Sequence, residues 1–286
     1  MKDWEKYEKD VFDLCQSHFE GGTVTKNEKQ RGRYSNRSRQ IDVQVKYQFG
    51  DSSNTTIIDC KRYSSPINVK NVEEFIGMLD DLGADKGIMI APNGYTKSAL
   101  ERAANAPTHL ELDICTFEEL QKFQGLVAFP YTDNNSVFIE APFGCVIDAK
   151  KDDRIGAICT IYRRGFILDD AFTEKEFAYV NFWKKDDDIQ SLDKLLEYQQ
   201  KYMESHYQSP NINLSESLPC RGIQAKIRIA EFKENPIIEL TGFVEFDNFI
   251  FFCVWLSKKI DVRRNRRKLE QLIKIATPIE ISFKGG

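Results

Sequence analysis

"IIDCKRYSSPINVKNVEEF", Ile57 to Phe75, decides the fold. Its opening residues read as an apolar strand, yet Asp59 and Lys61 stand two positions apart in it. Side chains two apart on a strand share a face. An acid and a base buried together on one face are unfavourable unless they pair or hold something. A helix over Asn71 to Leu82 follows. Val72, Phe75, Ile76, Leu79 and Leu82 recur at helical spacing, and Asn71 with Glu74 has the spacing of a capping box.

Upstream, Trp4, Val11 and Cys15 form an apolar helical stripe on which Glu8 also falls, while Glu5 points outward. Residues 25 to 46 then hold seven basic side chains (Lys26, Lys29, Arg31, Arg33, Arg37, Arg39, Lys46) against Glu28 and Asp42. "IDVQVKY" alternates as a strand does, and Asn54 suits the turn of a hairpin leading into Ile57 to Lys61. Downstream, "KGIMIAP" is a short strand apolar on both faces. A helix from Thr96 or Lys97 to Ala106 turns Ala99, Leu100 and Ala103 inward. "LELDIC" is another strand, and Thr116 with Glu119 caps a closing helix. The order is helix, three strands, helix, strand, helix, strand, helix. Its later βαβ units imply parallel pairing with right-handed crossovers.

With 286 residues, 41% of them hydrophobic, the chain can bury one large core or two ordinary ones. A net charge of -4 gives no average pull towards nucleic acid, so any such pull must come from a local patch. The seven cysteines form no CxxC pair, which excludes a zinc ribbon and reads as reduced core residues in a cytoplasmic protein. The N-terminus has no apolar stretch of the signal-peptide kind. The apolar run "FIFFCVWL" has eight residues, where a membrane helix needs about 20. It reads as a buried strand, and no membrane is expected as a partner.

Near "GLVAFPYTDNNS" the character changes, which places a boundary around Phe129 and gives domains 1–128 and 129–286. In the second, "VFIEAPFGCVIDA", "IGAICTIYR", "AKIRIAEF", "IIELTGFVEF" and "FIFFCVWL" read as strands, and Ser191 to Ser205 and "VRRNRRKLEQLIKIA" as helices. "IEISF" reads as a last strand.

Chemistry centres on Glu8, Asp42, Asp59 and Lys61. Two carboxylates on neighbouring strands, Asp42 and Asp59, suit a hard divalent ion, with the carbonyl of Cys60 as a further ligand and Glu8 acting through water. Such an ion polarises a phosphodiester and acidifies a bound water, and Lys61 orients that water or offsets developing charge. A lone D-x-K is more often a surface ion pair. Here Asp42 lies between two apolar strand residues, and Glu8 lies on an apolar helix stripe. The basic run is either a solvated loop or a loop held against phosphates. Tyr34 and Tyr63 either stack on a ligand or pack.

"RSRQIDVQV", "IIDCKRYSSPINVKNVEEF" and "ADKGIMIAPNGYTKSALERA" together resemble the Mrr-like restriction endonucleases of the PD-(D/E)xK nuclease superfamily. The resemblance covers about residues 4 to 123. It implies an α/β fold: a restriction-endonuclease-like core, a mixed sheet flanked by helices, followed by a second, α+β domain of unrecognised fold. The family's helix Glu, hairpin Asp and acid-x-Lys map onto Glu8, Asp42, Asp59 and Lys61. Asp59 stands where many relatives carry Glu or Gln, and it is one methylene shorter. The resemblance implies metal-dependent hydrolysis of DNA phosphodiester bonds that leaves a 5'-phosphate, with Mg²⁺ as cofactor and Mn²⁺ as a substitute. The implied setting is restriction or defence against foreign DNA.

Double-stranded DNA is then the expected partner, with Arg33, Arg37, Arg39, Arg62, Tyr63, Arg264 and Arg267 as candidate contacts. A homodimer, and a small-molecule or protein activator acting through the second domain, are further expectations. Two other readings stay open. One is a non-catalytic nucleic-acid or nucleotide-binding protein on a nuclease fold, and the other is an RNA nuclease.

Overall fold

In the computed structural model the chain divides into two units, Met1–Gln124 and Gly125–Gly286. The residues described are 3–19, 21–49, 52–107, 109–122, 125–215 and 219–280. The first unit runs α1 (Asp3–His18), β1 (Thr23–Arg31), β2 (Ser38–Phe49), β3 (Ser52–Cys60), α2 (Val69–Leu82), β4 (Lys86–Ile90), α3 (Lys97–Ala104), β5 (Glu111–Cys115) and α4 (Phe117–Gln121). The element order is the one read from the sequence. The five strands form one sheet in chain order. β1, β2 and β3 pair antiparallel, and β3, β4 and β5 pair parallel, with α2 and α3 as the crossovers. The sheet is therefore mixed.

The α2 stripe is buried as its spacing requires: Val72, Phe75, Ile76, Leu79 and Leu82 lie in the core. Each such burial contributes about 1.5–3 kcal/mol. They meet Ile57, Met89 and Ile114 of the sheet and Ala99 and Ala103 of α3 in one cluster.

Three local readings need correction. Helix α2 starts at Val69, and its N-cap is Asn68, which shares a capping box with Asn71; the next polar residue along had imitated the signal. Asn54 lies within β3, paired to Tyr47, and is therefore no turn residue; residues 50–51, between β2 and β3, lie outside the described residues. Leu100 is 36% exposed, and the inner face of α3 is made by Ala99 and Ala103.

The second unit contains β6 (Val127–Ala128), β7 (Tyr131–Thr132), β8 (Asn135–Glu140), β9 (Cys145–Asp148), β10 (Cys159–Arg163), α5 (Leu168–Glu174), β11 (Phe177–Lys184), α6 (Leu192–His206), β12 (Asn211–Ser215), β13 (Gln224–Phe232), β14 (Asn235–Glu245), β15 (Phe249–Lys258), α7 (Val262–Ile275) and β16 (Thr277–Glu280). Its main sheet has seven strands in the order β12-β13-β14-β15-β11-β10-β9, antiparallel throughout. A smaller sheet joins β16, β8 and β6, with β7 beside β8. β11, β12 and α5 were not read from the sequence. Ile281 to Phe283 of the expected last strand lie outside the described residues.

β15 explains its own composition. Phe251, Cys253 and Trp255 pack with Leu269, Leu272 and Ile273 of α7. Ile250, from the alternate register, packs with Leu192, Leu195 and Leu196 of α6. With both faces covered, the strand is apolar at consecutive positions. Among the described residues, no helix is long and apolar enough to cross a membrane.

Candidate active site

Asp42 occupies a break in the sheet. The β1–β2 register passes from Lys26↔Val43 to Glu28↔Ile41, skipping Asn27 and Asp42, and the β2–β3 ladder ends at Val43↔Ile58. Asn27, which would face Asp42, has a φ of 54°, in the left-handed region. The Asp42 side chain takes over the missing pairing: the Cys60 N–H donates to its Oδ2 at 2.8 Å. On the other side of the break, Ile41 joins the α2 cluster.

Asp59 lies on β3 opposite Met89 of the parallel strand β4. Lys61 continues that pairing by donating its N–H to Ile90 O at 2.9 Å. The Lys61 Nζ then returns to Asp59 Oδ2 at 3.0 Å, so the two side chains share a face as their spacing required. The Asp42 and Asp59 carboxyls lie close enough to shift each other's proton affinity.

This arrangement is short of positive charge. Burial pushes Asp59 up to about 6, Lys61 opposes that, and the Asp42 charge adds to it. Burial likewise raises Asp42, against the Cys60 N–H and Lys61. Glu8 is raised by burial and then by Asp42 and Glu5, so α1 presents a third acid to the same field. Burial pulls Lys61 down, but the charge and hydrogen bond of Asp59 outweigh it, and the ammonium is held above its ordinary range.

The residues present fit a hard divalent ion in one respect. A buried carboxyl, Asp59, beside a half-buried one, Asp42, favours a shared proton or a cation, and one lysine does not neutralise both. Among the described residues, however, no group of three or more His, Cys, Asp or Glu side chains is placed to hold a metal. An ion held here would draw on Asp42, Asp59, the Cys60 carbonyl and water, a set that suits Mg²⁺ better than Zn²⁺.

Gln44, two residues beyond Asp42, was passed over in the sequence. It is 4% exposed and its Nε2 has no partner. The available signal was an amide within the alternating run "IDVQV". Tyr7 of α1 was also missed. Its ring meets Phe117 edge-on at 5.9 Å, and its buried hydroxyl has no hydrogen-bond partner. Burial, and then Cys60 and Cys115, push that hydroxyl far up.

The basic stretch is no free loop. Asp81, 4% exposed near the end of α2, accepts the N–H groups of Tyr34 and Ser35, the Ser35 hydroxyl and the Arg39 guanidinium. These donors hold its carboxyl far below the usual range. Arg33 donates to Gly83 O at 3.0 Å. Gly83 has a φ of 64°, which favours glycine, and a Cβ there would displace the Arg33 guanidinium. A Cβ at Gly32 would strike the Asp81 carboxylate.

Arg33 and Arg39 are thus committed to α2, while Arg37 is exposed with only backbone bonds among the described residues. Arg62 and Tyr63 are exposed just past β3, and the Tyr63 carbonyl accepts from Asn93 at 2.6 Å. On α7, Arg264 pairs with Glu176, Arg266 with Glu270 at 2.9 Å, and Lys268 with Phe143 O at 2.9 Å. Arg267 is half-buried and Arg263 exposed. The α7 cations therefore serve largely to hold their own unit together.

Residues 2–139 match a family model described as a restriction endonuclease, Mrr_cat; the match covers just under half of the chain. No curated protein matches. Among solved structures, the chain is similar to the crystal structure of a protein of unknown function, AF1548, at 17% identity over 39% of this chain and 58% of that one, with a TM-score of 0.32. The chain thus spans 58% of the length of that relative. It is also similar to the solution structure of the cyanobacterial PsbP protein (CyanoP) of Synechocystis sp. PCC 6803, at 11% identity over 55% of this chain and 98% of that one, with a TM-score of 0.35.

Proposed function

The N-terminal domain of this chain is of the Mrr-like restriction endonuclease family, and from that premise we propose that it is a Mg²⁺-dependent nuclease that hydrolyses phosphodiester bonds of double-stranded DNA. The observation that carries the reading is the pairing of two acids, the half-buried Asp42 and the buried Asp59, beside the charged Lys61 at the end of β3. Like charges forced together in a buried place are unfavourable unless a cation is part of the design.

In this reading Asp42, Asp59 and the Cys60 carbonyl would hold the ion, and Glu8 would act on it through water. The ion, when bound, polarises the phosphodiester and acidifies a water. Lys61, kept charged by Asp59, would offset the negative charge that develops on the phosphate. Asp42 fixes the end of β3 by accepting the Cys60 N–H, so the ligand set is ordered before substrate arrives. Arg37, Arg62 and Tyr63 position the DNA backbone. Cutting both strands requires a second site, supplied by a homodimer. Seven free cysteines suit a reducing cytoplasm, where such an enzyme restricts foreign DNA.

The test is cleavage of supercoiled plasmid with Mg²⁺ or Mn²⁺ by the wild type and by Asp59→Ala, with single-stranded RNA in parallel and calorimetric titration of each ion. Metal-dependent nicking that disappears in Asp59→Ala is the expected result. Ion binding without cutting of plain, modified or phage DNA points to a required activator. Absence of ion binding sinks the nuclease reading in favour of a binding module, and preferential cutting of RNA sinks the choice of DNA.

A further inference from the structure

The second unit contains a cavity of about 360 Å³ between α6 and the main sheet. That is within the size range of small-ligand sites, about 300–1,000 Å³. Its walls are aromatic. On α6, Tyr198 and Tyr202 lie four residues apart, hence on one helix face, and are 52% and 54% exposed. The Tyr198 ring faces Trp183 of β11 at 5.7 Å, and one helix run further on Tyr207 faces Phe232 of β13 at 4.2 Å. These two aromatic pairs flank the cleft along the helix direction.

Its floor is polar and ordered. Arg228 of β13, 6% exposed, donates to Gln199 Oε1 at 2.6 Å, to Glu239 Oε1 at 2.9 Å and to Thr241 Oγ1 at 3.3 Å. Phe243 lies under the guanidinium at 5.1 Å. Two bonding positions are left over. The Arg228 Nε is buried with no partner, and the Glu239 Oε2 takes no hydrogen bond among the described residues. Buried donors without partners are uncommon in finished cores, and here the residue lines a cavity.

We propose that this cavity binds the ring of a nucleobase. Flat aromatic walls favour a planar ligand. The floor sets a guanidinium and a carboxylate side by side in the lining, which suits a heterocycle that carries a donor and an acceptor on one edge. Arg228 is already neutralised by Glu239, so the cleft has no surplus cation for a phosphate, and recognition falls on the ring. The site is independent of the Asp42–Asp59 centre and of the nuclease reading. The base reaches it either as a free nucleoside or as one unstacked from a nucleic acid strand.

The test is calorimetric titration of the full chain with each of the four deoxynucleosides, and separately with a single-stranded oligonucleotide. Tyr202→Ala and Glu239→Gln are measured beside the wild type. Saturable binding of at least one nucleoside is expected, weakened about tenfold by Tyr202→Ala, the scale of one lost stacking partner. Glu239→Gln, which keeps an acceptor for Arg228, shifts the preference away from bases that donate on their edge. Because the Tyr202 ring is exposed, Tyr202→Ala keeps the wild-type melting temperature. Oligonucleotide binding that is sensitive to Tyr202→Ala, without nucleoside binding, assigns the base to a strand. Failure of all probes to bind, or binding indifferent to both substitutions, overturns the proposal.

Discussion

Asp59 and Asp81 are both buried aspartates of the first unit, 7% and 4% exposed, one ahead of α2 and one near its end. Their exposure is similar and their electrostatics are opposite. Asp81 accepts two backbone N–H groups, a hydroxyl and a guanidinium, and its carboxyl is held far below the usual range. Asp59 has one ammonium and faces a second carboxyl, and burial pushes it up to about 6. A buried acid whose hydrogen bonds are complete is a fastening. A buried acid left short of them marks a place where something else binds.

The comparison can be broken most decisively by activity. Asp59→Ala is expected to lower plasmid cleavage by about 10³-fold or more, since it removes a ligand for the ion; cleavage within tenfold of wild type would make Asp59 another fastening. Next comes Lys61→Met, for which a loss of about 10²-fold is expected. Ion binding should survive it in calorimetry, and its loss would reassign Lys61 from chemistry to structure.

Stability sharpens the contrast. In the ion-free native state the Asp59 carboxyl keeps its proton up to about pH 6, whereas the unfolded chain releases it near pH 4. Between those values the native state binds more protons, so its stability falls as pH rises. Asp59→Asn removes the charge and should gain up to about 3 kcal/mol over wild type, the gain opening between pH 4 and 6. Saturating Mg²⁺ should cancel it, and denaturant curves across that range provide the check. Asp81 has the reverse sign. Its stabilisation is present above the unfolded value and is lost only in strong acid. Asp81→Ala should lower the melting temperature by several degrees at neutral pH with the cleavage site intact. A variant with unchanged melting would mean the hairpin does not depend on this anchor.

The smallest effect separates two arginines of one stretch. Arg37→Ala should weaken DNA binding a few-fold and reduce the salt slope by about one phosphate contact. Arg39→Ala should lower stability through the loss of the Asp81 pair. Equal effects of the two on binding would dissolve the distinction between anchored and free cations.

Much of the first unit was legible because its signals are local. The α2 stripe, the D-x-K spacing and the short strands each lie within a few residues of one another. The meeting of Asp42 with Asp59 also follows, because a hairpin joins their strands. What escaped is non-local. That Arg33 and Arg39 are fastened to the end of α2 depends on residues 50 and 42 positions away, and no spacing announces it. The cavity of the second unit gathers Trp183, Tyr198, Arg228 and Glu239 from four elements. Its strand β11 was missed because "FAYVNFWK" mixes polar and aromatic residues on a strand with neighbours on both sides. For the α7 cations, too, composition shows charge but not the acid or carbonyl that answers it, such as Glu176 for Arg264.

The bond from the Cys60 N–H to Asp42 has a consequence for descent. A carboxamide accepts that N–H as well as a carboxylate does, so Asp42→Asn keeps the end of β3 in place while removing a charge from the ion site. That exchange is a one-base codon change. The fold therefore offers selection little resistance on the path from a cutting protein to a silent one, and a silent descendant would leave the sheet, the hairpin anchor and the second unit as they are.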